Sequence, residues 1–308
     1  MRDAFVRALV QEMEINPRIV LMTGDLGFGV LRPIWDQFPD RIINAGIAEQ
    51  GMVGLAAGLA ATGRTVLVYS IGNFPTLRPL EQIRNDCAYT KANVKIVCVG
   101  GGFVYGSLGM SHHATEDMAV MRALPDVTCF TPGDPAETEA VTRVMLRTEG
   151  TCYLRLGRGN EPKIHDGPVE GWKMPEPIVI REGKDVALLS AGGILTQAVE
   201  AAKLLDEKGI SAEVVSFPCL KPMDAEAVRK LTERFRHIVT VEEHNVTGGF
   251  GSAVCEIAAE GGNGCRIHRI GLQDCFTAVV GNQQYLREIY GMDGKSIAEK
   301  AEAWIHEA

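Results

Sequence analysis

The chain has 308 residues, a net charge of −8, 46% hydrophobic and 23% charged residues, which is ordinary for a soluble globular protein of about two domains. The acidic balance argues against nucleic acid or an anionic membrane as the main partner. No apolar run reaches the roughly 18 residues that span a bilayer, and the N-terminus lacks the order of a signal peptide, so a cytoplasmic location is expected. In chain order, the pattern predicts a helix over 3–15, a strand over 19–22, a helix over 51–62, a strand over 65–69 and a helix over 77–89. A strand over 94–99, a helix over 114–124, a strand over 127–131, a helix over 135–147 and a strand over 151–156 follow. Residues 159–183 are rich in Pro, Gly and charge, lack periodicity, and mark a linker. Beyond it, strands are expected over 186–190, 212–217, 237–242 and 266–270, with helices over 195–208, 224–235, 249–259, 283–290 and 296–306. Such alternation builds parallel sheets with helices on both faces. The fold class is therefore α/β, with two doubly wound domains at 1–160 and 185–308 and a linker at 161–184.

Eight cysteines without a C-x-x-C pair, several in strand-like runs, are expected as reduced core residues rather than disulfides or a zinc site. The segment Asn44-Ala45-Gly46-Ile47-Ala48-Glu49-Gln50 leaves a lone carboxylate ahead of a helix rich in Gly and Ala, whose small residues suit close backbone packing. Partial desolvation there favours the neutral carboxyl and suits Glu49 to relay a proton. The other reading is a carboxylate that only favours the helix start, and the residues alone leave both open. His112 and His113 are adjacent and cannot share one helix face, so one is expected in a site and the other elsewhere. Tetrahedral zinc needs further ligands at fixed spacing, and no metal ligands are assigned.

Arg155 and Arg158 lie at and just after the end of the last strand of the first domain, where ligands of open α/β sheets bind and where Arg can grip phosphate bidentately. A surface ion pair is the alternative. The turn Gly248-Gly249-Phe250-Gly251, after Val241-Glu242-Glu243-His244-Asn245, opens a helix and could cradle a phosphate. It lacks the G-x-G-x-x-G spacing of a dinucleotide site, and a tight packing turn or a subunit contact is the competing reading.

Residues 44–60, NAGIAEQGMVGLAAGLA, and residues 111–127, SHHATEDMAVMRALPDV, resemble two segments of transketolase-type thiamine diphosphate (ThDP) enzymes, in the family's order. The resemblance covers nearly the whole chain and implies a pyrimidine-binding domain followed by a smaller transketolase C-terminal domain. It implies that Glu49 shares a proton with the cofactor's aminopyrimidine and that Phe74 stacks on that ring, with Arg78 four positions on. It also places Asp25, in Gly24-Asp25-Leu26-Gly27, at the cofactor, and His112 beside the donor's reacting hydroxyls. The run Arg155-Leu156-Gly157-Arg158-Gly159 is similar to a segment of deoxyxylulose-phosphate synthases and split transketolases, which implies a phosphorylated sugar.

Two departures qualify the resemblance. Leu108-Gly109-Met110 stands where many transketolases have Asp-Gly-Pro, and the segment 100–103 lacks the family's sugar-binding His or Arg. A Leu cannot replace a hydroxyl-bonding Asp without losing that bond, so a deoxygenated or otherwise modified sugar is expected, with Leu108 facing it. The family's Gly-Asp-Gly and Asn, which hold the cofactor diphosphate and Mg²⁺, have no counterpart in the sequence. The resemblance then implies the second half of a split enzyme, in an α₂β₂ assembly with self-dimerisation, in which a partner chain holds the diphosphate and Mg²⁺. The reaction implied moves a two-carbon ketol unit from a ketose to an aldehyde. One alternative is the β subunit of a 2-oxo acid dehydrogenase, which carries Gln-His-Ser where this chain has Ser111-His112-His113. The other is a non-catalytic regulatory subunit that kept only the fold.

Overall fold

The computed structural model describes residues 1–262 and 264–307. In the first half, the strands are β1 (Ile19–Thr23), β2 (Ile42–Asn44), β3 (Thr65–Ile71), β4 (Val94–Val99), β5 (Val127–Phe130) and β6 (Thr151–Leu156). The second half contributes β7 (Ile178–Arg181), β8 (Val186–Ala191), β9 (Ala212–Ser216), β10 (Cys219–Lys221), β11 (His237–Asn245) and β12 (Arg266–Leu272). They form a seven-stranded sheet ordered β10-β5-β6-β4-β3-β1-β2 and a five-stranded sheet ordered β12-β11-β8-β9-β7. Among the described residues, only strands β10 and β7 run antiparallel to their neighbours.

The central strands β1, β4, β6 and β8 are buried at every residue, as expected of parallel strands covered on both faces. On one face of the larger sheet, helices Arg2–Ile15 and Pro135–Arg147 bury Phe5, Leu9, Met13, Val141 and Met145 against Leu21, Leu67 and Leu154. On the other, helix Glu49–Ala60 and the Ile83–Ala88 turn place Met52, Val53, Ala56, Ile83 and Cys87 over Val66, Val68 and Ile96. This second core continues through Phe217 and Leu220 to Phe250 and Val254 of the second half, so one apolar cluster spans both sheets.

Several expectations are corrected. Helix 77–89 is broken into Phe74–Leu77, Leu80–Gln82 and a π-helical turn Ile83–Ala88, because Pro79 has no amide N–H to carry the helix through. Part of the expected linker forms β7, an edge strand on β9. Strand β10 leaves the second half and pairs with β5 of the first sheet, so the chain crosses back between the two units. Helix Arg32–Gln37 and β2 were not anticipated. All eight cysteines are free, but Cys275 is exposed and Cys255 and Cys265 are only half-buried.

The face of helix Glu49–Ala60 that carries Gly51 and Gly58 does not pack closely within the chain. A Cβ at Gly51 or Gly58 would meet nothing within 4 Å, and Leu55 and Ile47 beside them are 51% and 75% exposed. No helix among the described residues is long and apolar enough to cross a membrane.

Candidate active site

Strands β1 and β2 end side by side, with Thr23 opposite Asn44, and the Asn44 side chain locks the two turns that follow. Its Nδ2 donates to Asp25 Oδ1 at 2.9 Å, and its Oδ1 accepts from the Asp25 and Gly46 amides, both at 3.0 Å. Asp25 is exposed and sits at φ 58°, a left-handed conformation that Asp tolerates better than most residues. These turns deliver the chain to Glu49, the first residue of its helix. Glu49 is 5% exposed, and its Oε1 accepts from Arg78 Nη1 at 2.9 Å. The helix has no side-chain cap. The carboxylate thus meets a cation from another segment, although its place in the first turn still suits the helix dipole.

The Arg78 guanidinium lies 3.9 Å from the centroid of the Phe74 ring, and the His112 ring meets Phe74 edge-on at 5.2 Å. Glu49, Arg78, Phe74 and His112 therefore form a continuous string, drawn from the connections after β2, β3 and β4. Asn73, which donates to the His113 carbonyl, ties the last two connections together. Gly72 permits this approach, since a Cβ there would lie 2.9 Å from Ala114 Cβ. The adjacent histidines divide. His112 is half-exposed on Phe74, with Nδ1 3.1 Å from Ser111 Oγ, whereas His113 is buried and bonded to Thr277 Oγ1 at 2.7 Å. Burial holds the His113 pKa below its ordinary value.

The two arginines also differ. Arg155 is 4% exposed; its Nε donates to Asp117 Oδ2 at 2.8 Å and its Nη2 to the Ala114 and Glu243 carbonyls at 2.8 and 2.9 Å. Burial alone would lower its pKa, but the Asp117 carboxylate outweighs burial and raises it. The Arg155 donors at Nε and Nη2 are used inside the protein, at the seam of the two halves. Arg158 is exposed, with its guanidinium 5.5 Å from the Tyr105 ring centroid and no ion-pair partner among the described residues. Both arginines border a cavity of about 210 Å³ between the two halves, together with Gly192, Glu243 and Arg287.

Amides of the Gly248–Gly251 turn are already taken. Glu242 accepts from the Phe250 amide at 2.7 Å and the Gly251 amide at 2.9 Å. A Cβ at Gly249 would lie 2.1 Å from Glu242 Oε2, so the packing-turn reading matches the geometry.

The family models for the transketolase pyrimidine-binding domain and the transketolase C-terminal domain match residues 1–163 and 177–297. The chain is 36% identical over 302 residues to a putative transketolase C-terminal section of Methanocaldococcus jannaschii, covering 97% of this chain and 94% of that protein. It belongs to the transketolase family.

This transketolase chain is also 34% identical to one subunit of the apulose-4-phosphate transketolase of Actinobacillus succinogenes, over 98% of itself and 96% of that relative. A solved structure described as a split-gene transketolase, inactive beta4 tetramer, superposes with a TM-score of 0.91 at 36% identity, covering 99% of this chain and 97% of that one. The chain thus comprises the pyrimidine-binding and C-terminal domains of the transketolase family, which is generally ThDP-dependent. Four residues around this candidate site escaped the sequence reading. Asn44 and Asn73 clamp its turns, Asp117 holds Arg155, and Tyr105 carries Arg158. Asn44 opens the motif that contains Glu49 and was open to notice; the others have no local signal.

Proposed function

We propose that this chain is one subunit of a two-chain, ThDP-dependent transketolase that moves a two-carbon ketol unit from a phosphorylated or modified ketose to an aldehyde. The observation that carries this reading is the string of Glu49, Arg78, Phe74 and His112. These residues suit an aminopyrimidine ring. Glu49 Oε2 has no hydrogen-bond partner among the described residues, and half-buried Phe74 offers a flat apolar surface beside it. Bound ThDP supplies the electron sink for cleaving the bond next to a ketose carbonyl.

Glu49 holds a proton at its carboxylate next to the ring. Arg78, 46% exposed, is free to swing off Phe74 when a ring stacks there. His112 has Nδ1 engaged by Ser111, which leaves Nε2 to hold or pass a proton at a donor hydroxyl. Asp25 is assigned to the cofactor beside Glu49, its turn held by Asn44. The pyrimidine unit at 1–160 carries these groups, and the unit at 185–308 braces their loops through Glu243 and Thr277. The diphosphate and Mg²⁺ are assigned to a cytoplasmic partner subunit in an α₂β₂ assembly. The exposed Gly51, Leu55 and Gly58 face supports self-association within that assembly.

Two relatives bear on the donor: one is named for apulose-4-phosphate and another, from a Clostridium species, for 6-deoxy-6-sulfo-D-fructose. Both support an unusual ketose here, in line with Leu108, which is 54% exposed on the turn before Ser111. The deciding experiment is co-purification with a candidate diphosphate-binding chain, then a screen of ketose and 2-oxo acid donors with ThDP and Mg²⁺. The pair is expected to turn over a ketose and this chain alone to turn over nothing. Turnover by the single chain would overturn the split-enzyme reading, and turnover of a 2-oxo acid instead would favour a dehydrogenase β subunit.

Arg158 is the candidate for the donor or acceptor phosphate. Arg158→Ala is expected to raise KM for phosphorylated substrates by roughly 10- to 100-fold, the worth of one charge-assisted contact, with little effect on unphosphorylated analogues. Equal effects on both would show that Arg158 braces Tyr105 instead.

A further inference from the structure

Three side chains with no part in the site above converge where the segment after β6 crosses between the two sheets. Asp134 caps helix Pro135–Arg147: Oδ1 accepts from the Glu137 amide at 2.8 Å, and Oδ2 accepts from the Ile164 and His165 amides at 3.0 Å. Glu137 is fully buried. Its Oε2 accepts from the Gly133 amide at 2.6 Å and from Ser216 Oγ of β9 at 3.0 Å, but its buried Oε1 has no hydrogen-bond partner among the described residues. His165 stands between the two carboxylates, with Nδ1 3.1 Å from Asp134 Oδ2 and Nε2 3.9 Å from Glu137 Oε1. Neither ring nitrogen makes a well-aligned hydrogen bond to any described residue. One ligand atom from each residue lies within 4.8 Å of the other two.

We propose that Asp134, Glu137 and His165 form a structural divalent-cation site of the kind that takes Zn²⁺, stapling the segment around His165 to the first unit beside β9. Two carboxylates and an imidazole are a zinc donor set, whereas Mg²⁺ and Ca²⁺ favour oxygen alone. A cation gives the orphaned Oε1 a partner and offsets two buried carboxylates that face a single imidazole. Ligand atoms around tetrahedral zinc lie roughly 3.3 Å apart, against separations of up to 4.8 Å here, so binding draws the three groups inward. Its side chain is 18% exposed, and it borders a cavity of about 740 Å³ that gives ions a way in.

Zinc binds the deprotonated forms of these ligands, so its affinity rises with pH.

The test is to strip the full chain with a chelator and titrate it with Zn²⁺ and with Co²⁺. One ion per chain is expected at micromolar metal, tighter at about pH 8 than at about pH 6, with a higher unfolding temperature. Co²⁺ should give the visible bands of a tetrahedral site without a thiolate charge-transfer band. His165→Ala and Glu137→Gln, each shown to be folded by circular dichroism, should each weaken binding by at least about 100-fold, since even outer partners of a metal contribute 10- to 100-fold. No stoichiometric binding, undiminished binding in both variants, or a cobalt-thiolate band from one of the eight cysteines would each overturn the proposal.

Discussion

Replacing Glu49 with Gln is expected to slow the assembled two-chain enzyme by about 10²- to 10⁴-fold, the usual worth of a positioned acid or base, while leaving its assembly and unfolding midpoint nearly unchanged. The substitution keeps the shape of the side chain, and the Gln carbonyl can still accept from Arg78. The structural stake is small. Arg78 is 46% exposed, so its pair with Glu49 contributes about 0–1 kcal/mol, and a first-turn carboxylate contributes about 0.3–1 kcal/mol through the helix dipole. A rate loss of that size corresponds to roughly 3–5 kcal/mol, beyond what either structural effect could transmit. The comparison needs kcat at saturating ThDP beside urea unfolding of the same preparations. An undiminished rate with a shifted midpoint would return Glu49 to the role of a favourable helix start.

Removing the Asp117 carboxylate should have the opposite profile, with a large loss of stability. Asp117→Ala is expected to cost about 3–5 kcal/mol, because it leaves the Arg155 guanidinium buried without its counter-charge. Asp117 also accepts from the Tyr153 hydroxyl. Arg155 in turn holds the Ala114 carbonyl, two residues after His112, and the Glu243 carbonyl of β11. The damage should therefore reach both the His112 loop and the seam between the sheets. The double variant Asp117→Leu with Arg155→Met should recover much of the loss, since apolar replacement of both partners removes the stranded charge. Urea midpoints of the three proteins provide the check, followed through Trp35, Trp172 and Trp304. If Asp117→Ala unfolds at the wild-type midpoint, the buried pair is not what holds the seam.

The central strands and most helices were legible because burial on both faces leaves a continuous apolar run, as in Val94–Val99, and helices such as Pro135–Arg147 carry their own period and cap. The three strands missed are edge or near-edge pieces of three or four residues. Their existence depends on a partner strand, and for β10 that partner lies in the other half of the chain. The Gly248–Gly251 turn was ambiguous for the same reason: its competing readings differ only in what meets its amides, and Glu242 of β11 is what does.

Sequence by itself determined the α/β class, the order of the central elements, and the residues that carry the resemblance, among them Glu49, Phe74, Arg78 and His112. Such features rest on local periodicity and on short contiguous motifs. Only the tertiary structure decided that Arg155 is engaged by Asp117 while Arg158 has no ion-pair partner among the described residues, that the two histidines turn opposite ways, and that His165 meets Asp134 and Glu137. The physical reason is that the partner of a charged group is chosen by the crossovers that gather distant loops at the strand ends, over separations as long as the 88 residues between Arg155 and Glu243. At such separations burial and counter-charge, which no local pattern records, decide whether a side chain is spent within the protein or left to bind a ligand.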